Sequence, residues 1–102
     1  MKECCRKYLD EQFGGDADVM AEIYAEYAAS LKEKQAEAGE ALAAGDWTRL
    51  DRVAHTVKGN ALAAGDAETA ETAIELRKAA ALADAAHATT LVERMGRLAG
   101  EL

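Results

Sequence analysis

Hydrophobic and polar positions alternate with the period of an α-helix along most of the chain. In residues 16–44, large apolar side chains recur every three or four positions, at Met20, Ile23, Tyr27 and Leu31. Residues 46–64 repeat this spacing, and residues 66–82 and 84–101 show it with more alanine and threonine. Such a period is typical of amphipathic helices. The pattern therefore predicts four helices, each with one face directed towards a shared core.

Gly-Asp pairs mark where these predicted helices end and begin. They occupy positions 15–16, 45–46 and 65–66, and Asp84 stands at a fourth such position without the glycine. Glycine tolerates the left-handed conformation that ends a helix, and aspartate caps the free amides of the next one. The predicted helices are therefore 16–44, 46–64, 66–82 and 84–101. Their connections are so short that consecutive helices must pack antiparallel.

The first 13 residues predict a short extra helix, with Tyr8, Leu9 and Phe13 covering one end of the bundle. Segment 16–44 is longer than its partners by roughly ten residues, or ~15 Å of helix. We therefore expect a bend or break around residues 30–35. The prediction is an all-α single domain over residues 1–102, an antiparallel up-down-up-down four-helix bundle with a short N-terminal extra helix.

The composition favours helices and a thin core. The 102 residues include no proline, and only 5% are aromatic although 50% are hydrophobic. Alanine is abundant and is the strongest helix former, but it buries little apolar area. The scarce large side chains must supply most of the core: Met20, Ile23, Tyr24, Tyr27, Leu31, Leu42, Trp47, Leu50, Val53, Val57, Leu62, Ile74, Leu76, Leu91, Met95 and Leu98.

The net charge of −7 argues against several classes of partner. Nucleic acids and anionic membrane surfaces both attract basic proteins. No apolar run approaches the ~20 residues of a membrane span, and the N-terminus lacks the apolar core of a signal peptide. We therefore expect a cytoplasmic protein. Cys4 and Cys5 are too few for a disulfide framework or a zinc site, so we expect two reduced thiols without structural importance.

A glycine inside the second long helix is the feature that calls for a functional explanation. A helical glycine costs ~1 kcal/mol relative to alanine, and this chain uses alanine almost everywhere else. With the core stripe turned inwards, one outer face of this helix carries Asp51, His55, Lys58, Gly59 and Leu62. His55 thus lies beside the core stripe, where partners can reach it.

These residues suit the transfer of a phosphoryl group. A neutral imidazole at His55 has a lone pair that can attack phosphorus, and Lys58 can place an ammonium beside the phosphoryl oxygens. Gly59 leaves room for the backbone of a partner, and Leu62 offers an apolar docking surface. Structural alternatives stay open for each residue. His55 is then an ordinary exposed histidine, Lys58 pairs with a carboxylate, and Gly59 admits a neighbouring helix. Asp51 either orients the imidazole or is a plain surface carboxylate.

The stretch His55-Thr-Val-Lys58-Gly59-Asn60-Ala61 resembles the signature of histidine-containing phosphotransfer (HPt) domains, His-x-Leu-Lys-Gly followed by Ser or Ala. Residues 14–16, 41–54 and 64–66 also resemble segments of that family, so the likeness covers roughly residues 14–82. The departures are Val57, Asn60, Ala64 and Arg77, the last where the family commonly has glutamate.

The resemblance implies a phosphorelay intermediate. His55 is the phosphorylated residue, Lys58 steadies the phosphoryl group and Gly59 gives access to it. The donor and acceptor are receiver domains of response regulators or of hybrid histidine kinases, and the receiver holds the Mg²⁺, so the chain needs no metal or cofactor of its own. Asn60 either hydrogen-bonds near the phosphate or merely tolerates exposure.

Three other functions remain as alternatives. An adaptor would dock receiver or kinase domains without phosphorylation. A helical lid or oligomerisation module would show self-association in a sedimentation experiment. An enzyme is disfavoured, because the sequence has no ATP-binding motif and no nucleophile with a base beside it. His87 lacks the Lys-Gly that follows His55 and is expected on the surface. We expect a free-standing monomer, and the sequence does not specify its donor and acceptor.

Overall fold

The computed structural model describes all 102 residues and contains five helices and no strands. They are α1 (Glu3–Phe13), α2 (Ala17–Ala43), α3 (Trp47–Ala64), α4 (Ala67–Ala81) and α5 (Ala85–Gly100). The prediction of an all-α protein is confirmed. None of the five helices combines the length and the apolar character that crossing a membrane requires.

Each of the four longer helices begins directly after an aspartate that caps it. The side chain of each aspartate accepts a hydrogen bond from the backbone amide three residues later. The preceding helix ends in a left-handed residue, with φ of 65° at Gly45 and 75° at Gly65. Ala83 occupies the same position before Asp84 with φ of 50°. At each of these connections, the aspartate therefore starts a helix immediately after the residue that ends the previous helix.

The four longer helices pack in a ring. α2 contacts α3, α3 contacts α4, α4 contacts α5, and α5 returns to α2, while α1 lies against α2 and α3. This is a helical bundle with one added helix. The alternating direction of successive helices stays a prediction from their short connections.

The core between the four helices combines a few large side chains with many alanines. Leu31, Leu50, Leu76, Leu91 and Met95 are almost completely buried. Alanines from all four helices fill the space between them, so the helices can approach closely. Two residues of the predicted core are exposed instead, since Leu62 and Ile74 lie on outer faces of α3 and α4. Three others are only partly buried: Ile23, Leu42 and Trp47.

Helix α1 forms a second, smaller core with the start of α2. Cys5, Leu9, Met20 and Tyr24 make up this cluster, and Tyr8 packs against it. The prediction that Phe13 joins this contact is wrong, because its side chain is exposed at the end of α1. The expectation that both cysteines lack structural importance is wrong for Cys5. Its side chain is completely buried, and this burial raises the pKa of the thiol to about 12.

Helix α2 runs unbroken from Ala17 to Ala43. The expectation of a break around residues 30–35 is therefore wrong. The physical reason is the position of α1, which packs on the first turns of α2 through Leu9, Met20 and Tyr24. The extra length of α2 thus has a partner of its own and does not project into solvent.

A buried carboxylate joins α1 to the connection between α3 and α4. Asp66 is completely buried, and it accepts hydrogen bonds from Tyr27 Oη at 2.7 Å, Thr69 Oγ1 at 2.8 Å and Lys2 Nζ at 3.1 Å. Burial alone would raise the pKa of Asp66, but these three donors outweigh it and hold the pKa below its ordinary value. Next to it, Gly65 leaves room for Tyr8, since a Cβ there would clash with Tyr8 Cβ.

Candidate functional site

His55 lies in the middle of α3 with its side chain exposed. Its position follows from the helical period, because Ala54, Val57 and Ala61 are buried in the core and residue 55 falls on the face beside them. The structure therefore presents an imidazole at the surface of a rigid helix.

A guanidinium from the neighbouring helix contacts this imidazole. Arg77 Nη1 lies 3.1 Å from His55 Nδ1, and Arg77 Nε donates a hydrogen bond to Asp51 Oδ1 at 3.0 Å. Asp51, one turn before His55, thus binds Arg77 and makes no hydrogen bond to the imidazole. The sequence identified Arg77 only as a departure from the family pattern. Its contact with His55 depends on how α3 and α4 align, which the hydrophobic pattern does not specify.

Lys58 lies one turn after His55 and is half-buried. Its ammonium takes part in none of the salt bridges or side-chain hydrogen bonds of the structure, so the alternative of a lysine paired with a carboxylate does not describe it. Lys58 lines a concave surface of about 350 Å³ together with Asp51, Ile74, Arg77, Lys78 and Ala81. We call this surface the basic cavity, because three cationic side chains face one carboxylate there.

Gly59 is exposed, and a Cβ atom built on it would meet nothing within 4 Å. The alternative in which this glycine admits a neighbouring helix is therefore excluded. Gly65 is the contrasting case, since Tyr8 fills the space beside it. At Gly59 the missing side chain leaves open solvent next to His55.

The other two candidate residues of this helix lie away from the basic cavity. Asn60 Nδ2 donates a hydrogen bond to Ser30 Oγ of α2 at 3.2 Å, so Asn60 is turned towards the groove between α2 and α3. Leu62 is 54% exposed, two turns beyond His55. His87 is exposed in the first turn of α5, as expected from the sequence.

The site holds groups suited to binding and attacking an electrophile with anionic oxygens. His55 supplies a nitrogen nucleophile, and Lys58 and Arg77 supply cations that can hydrogen-bond to such oxygens. No three His, Cys, Asp or Glu side chains of the chain are grouped so that they could hold a metal ion.

Comparison with protein families identifies the family of the chain. The family model described as Hpt domain matches residues 22–101, a range that contains the whole site and leaves out α1. Comparisons with curated proteins and with solved structures returned no significant match.

Proposed function

The chain belongs to the Hpt domain family, and we propose that it carries a phosphoryl group on His55 between aspartates of receiver domains in a multistep phosphorelay. Hpt domains are phosphocarrier modules of phosphorelay signalling and not catalytic enzymes. The observation that supports the role of His55 is its setting: an exposed imidazole, an unpaired ammonium at Lys58 one turn later, and open space at Gly59.

The chemistry needs one nucleophile from this chain. The lone pair of the imidazole forms a bond to the phosphorus of an aspartyl phosphate, the bond from phosphorus to the aspartyl oxygen breaks, and the carboxylate leaves with the electron pair. Lys58 attracts the phosphoryl oxygens during this step as a compact positive charge. The same step in reverse passes the group to the next receiver.

The partners follow from this role. Receiver domains, alone or as parts of hybrid histidine kinases, would dock on the open face of α3, with Gly59 allowing their backbone to approach and Leu62 supplying apolar contact. The receiver would hold the Mg²⁺. We further propose a single domain over residues 1–102 that acts as a monomer in the cytoplasm, with the four longer helices alternating in direction.

The test is direct phosphorylation. The protein and its His55→Gln variant are incubated with Mg²⁺ and receiver domains that have been phosphorylated beforehand, and intact masses are measured. We expect the wild type alone to gain one phosphate, and we expect acid to remove that phosphate, as it does from phosphohistidine.

Two further variants sharpen this result. Lys58→Gln should accept phosphate more slowly than the wild type. Lys7→Gln removes the same charge from an exposed position of α1 and should accept phosphate at the wild-type rate. If several receivers bind the protein and none transfers phosphate, the proposal is wrong and the adaptor function replaces it.

A further inference from the structure

Arg77 places a hydrogen-bond donor on one of the two ring nitrogens of His55, with Nη1 3.1 Å from Nδ1. A guanidinium has donors and no acceptor, so Nδ1 must be the accepting atom. In a neutral imidazole, one nitrogen accepts through its lone pair and the other carries the proton. The contact therefore places the lone pair on Nδ1 and the proton on Nε2.

This arrangement leaves neither nitrogen ready to attack phosphorus. The lone pair on Nδ1 is engaged by the guanidinium. Nε2 becomes nucleophilic only when its proton moves to Nδ1, where it would point at an N–H of Arg77. Whichever nitrogen accepts the phosphoryl group, the guanidinium must first leave Nδ1.

We propose that Arg77 is a positioning residue that holds His55 in a non-nucleophilic state until an incoming phosphoryl group draws its guanidinium away from Nδ1. The inference deepens the proposed function of His55 and rests on it. It concerns a residue of α4, outside the helix that carries the His-Lys-Gly stretch.

The contact can be released because it lies at the surface. The side chains of Arg77 and Asp51 are 37% and 44% exposed, so water can replace either partner. Arg77 also lines the basic cavity with Lys58 and Lys78. A phosphoryl group that enters this cavity offers several charged oxygens, which guanidinium groups bind in a bidentate manner. We expect the guanidinium to give up its hydrogen bond to His55 Nδ1 and to bind these phosphoryl oxygens instead.

The transfer step then balances as follows. The freed lone pair forms the nitrogen–phosphorus bond, and the bond from phosphorus to its leaving group breaks. The leaving group departs with that electron pair. The proton on the other ring nitrogen stays there until water accepts it.

The first test uses diethyl pyrocarbonate, a neutral reagent that transfers an ethoxyformyl group to an imidazole nitrogen with a free lone pair and offers the guanidinium no anionic oxygens. With the reagent in excess, intact mass gives the rate at which His55 is modified, and His55→Gln gives the background. Glutamine at position 77 carries no charge, and its side-chain oxygen can accept from Nδ1–H. We expect Arg77→Gln to react about threefold to tenfold faster, as loss of one hydrogen bond in the resting state predicts.

A matched control exists on α5. Arg94 pairs with Glu75 of α4 at 3.7 Å, and the two side chains are 43% and 45% exposed, so this pair resembles Arg77 and Asp51 but lies away from His55. Arg94→Gln should react at the wild-type rate. An equal or slower rate in Arg77→Gln would overturn the inference, since it would mean that the guanidinium does not restrain the lone pair of the imidazole.

The second test reads the tautomer without any phosphoryl donor. In the ¹⁵N spectrum of the neutral imidazole, the wild type should carry its proton on Nε2, and Arg77→Gln should move proton population to Nδ1. Unchanged nitrogen shifts in the variant would refute the role of Arg77 even if receivers phosphorylate His55. Conversely, a shifted tautomer and a faster reaction with diethyl pyrocarbonate would stand even if no receiver transfers phosphate.

Discussion

Gly59 lowers the stability of α3, and no group of the chain uses the space that its missing side chain leaves. Internal packing therefore does not explain this helix-destabilising residue. Under the proposed function, this space belongs to the receiver.

Substitution at Gly59 should therefore separate stability from function. Gly59→Ala should raise the free energy of unfolding by ~0.5–1 kcal/mol, because alanine is the better helix former and its Cβ meets nothing. Gly59→Gln should fold as well as the wild type but accept phosphate from a receiver about tenfold more slowly or worse, because displaced reactants lose rate steeply. Denaturant unfolding and the receiver assay measure the two effects.

Reaction with phosphoramidate, a small phosphoryl donor whose leaving group is ammonia, serves as the control for this pair. The small donor does not need the open face, so both Gly59 variants should react with it at about the wild-type rate. Transfer from the receiver at the full wild-type rate in Gly59→Gln would contradict the docking role of this glycine.

The residues of the site differ in how far the sequence could predict them. His55, Lys58 and Gly59 share one helix, so their common face followed from the helical period alone. The contact between Arg77 and His55 spans 22 residues and two helices, and it depends on an alignment that small, similar alanines do not specify. Asp66 was predicted as a helix cap, but its burial and its bond to Lys2 required the position of α1.

At the scale of the helices, the connections repeat one solution with a single exception. Three of them place glycine with positive φ before the capping aspartate, and the fourth places Ala83 there with φ of 50°. A side chain in the left-handed region is strained by ~1–2 kcal/mol. An aspartate marks all four helix starts in the sequence. The start of α5 could therefore be predicted from Asp84 although no glycine precedes it.

Ala83→Gly should relieve this strain. We expect the free energy of unfolding to rise by ~0.5–1 kcal/mol, since part of the gain is offset by the greater freedom of glycine in the unfolded chain. The melting temperature should rise by a few degrees in a thermal unfolding experiment.

The reverse substitution at Gly45 provides the matched control for this prediction. Gly45 has φ of 65° and no neighbour within 4 Å of an added Cβ, so Gly45→Ala should lower stability through backbone strain alone. Opposite signs are required for the two variants, and a loss of stability in Ala83→Gly would refute this account of the connection.

The continuity of α2 shows where reasoning from helix lengths failed. Segment 16–44 does form a helix longer than its partners. The expected bend assumed that only the other three long helices could pack against the additional turns of this helix. The first residues predicted a short helix with Leu9 covering one end of the bundle, but they did not indicate that Cys5 and Leu9 would pack against the start of α2.

At the scale of the whole molecule, Asp66 connects parts that are distant in the chain. Its carboxylate binds Lys2 before α1, Tyr27 of α2 and Thr69 of α4, and it also caps α4. The hydroxyl of Tyr27 is correspondingly hard to ionise, because burial and then the bond to Asp66 raise its pKa. One charge thus links two helices and the N-terminal segment.

Acid should reveal the contribution of Asp66. Its pKa is lower in the folded protein than in the unfolded chain, so the stability that it contributes is present above the unfolded pKa of ~3.9 and is lost as the pH falls through the folded value. We expect the free energy of unfolding to decline below about pH 4. Denaturant unfolding at a series of pH values measures this decline.

Asp66→Asn removes the charge but keeps an oxygen that can cap α4. Near pH 7 the variant should be less stable by ~2–4 kcal/mol, because it breaks a mostly buried ion pair and weakens the bonds from Tyr27 and Thr69. Its remaining stability should decline less on acidification than that of the wild type. Parallel decline in both proteins would show that other carboxylates cause the acid effect.

The basic cavity lies on a protein whose net charge is −7. Lys58, Arg77 and Lys78 outnumber Asp51 there, so this surface is locally positive and the rest of the molecule is more negative than the total suggests. Under the proposed function, a receiver whose active site is lined with carboxylates would be attracted by this positive surface and repelled by the acidic remainder. The docking orientation would then be selected during diffusion, before side chains touch, and added salt would weaken this selection by shortening the distance over which the charges act.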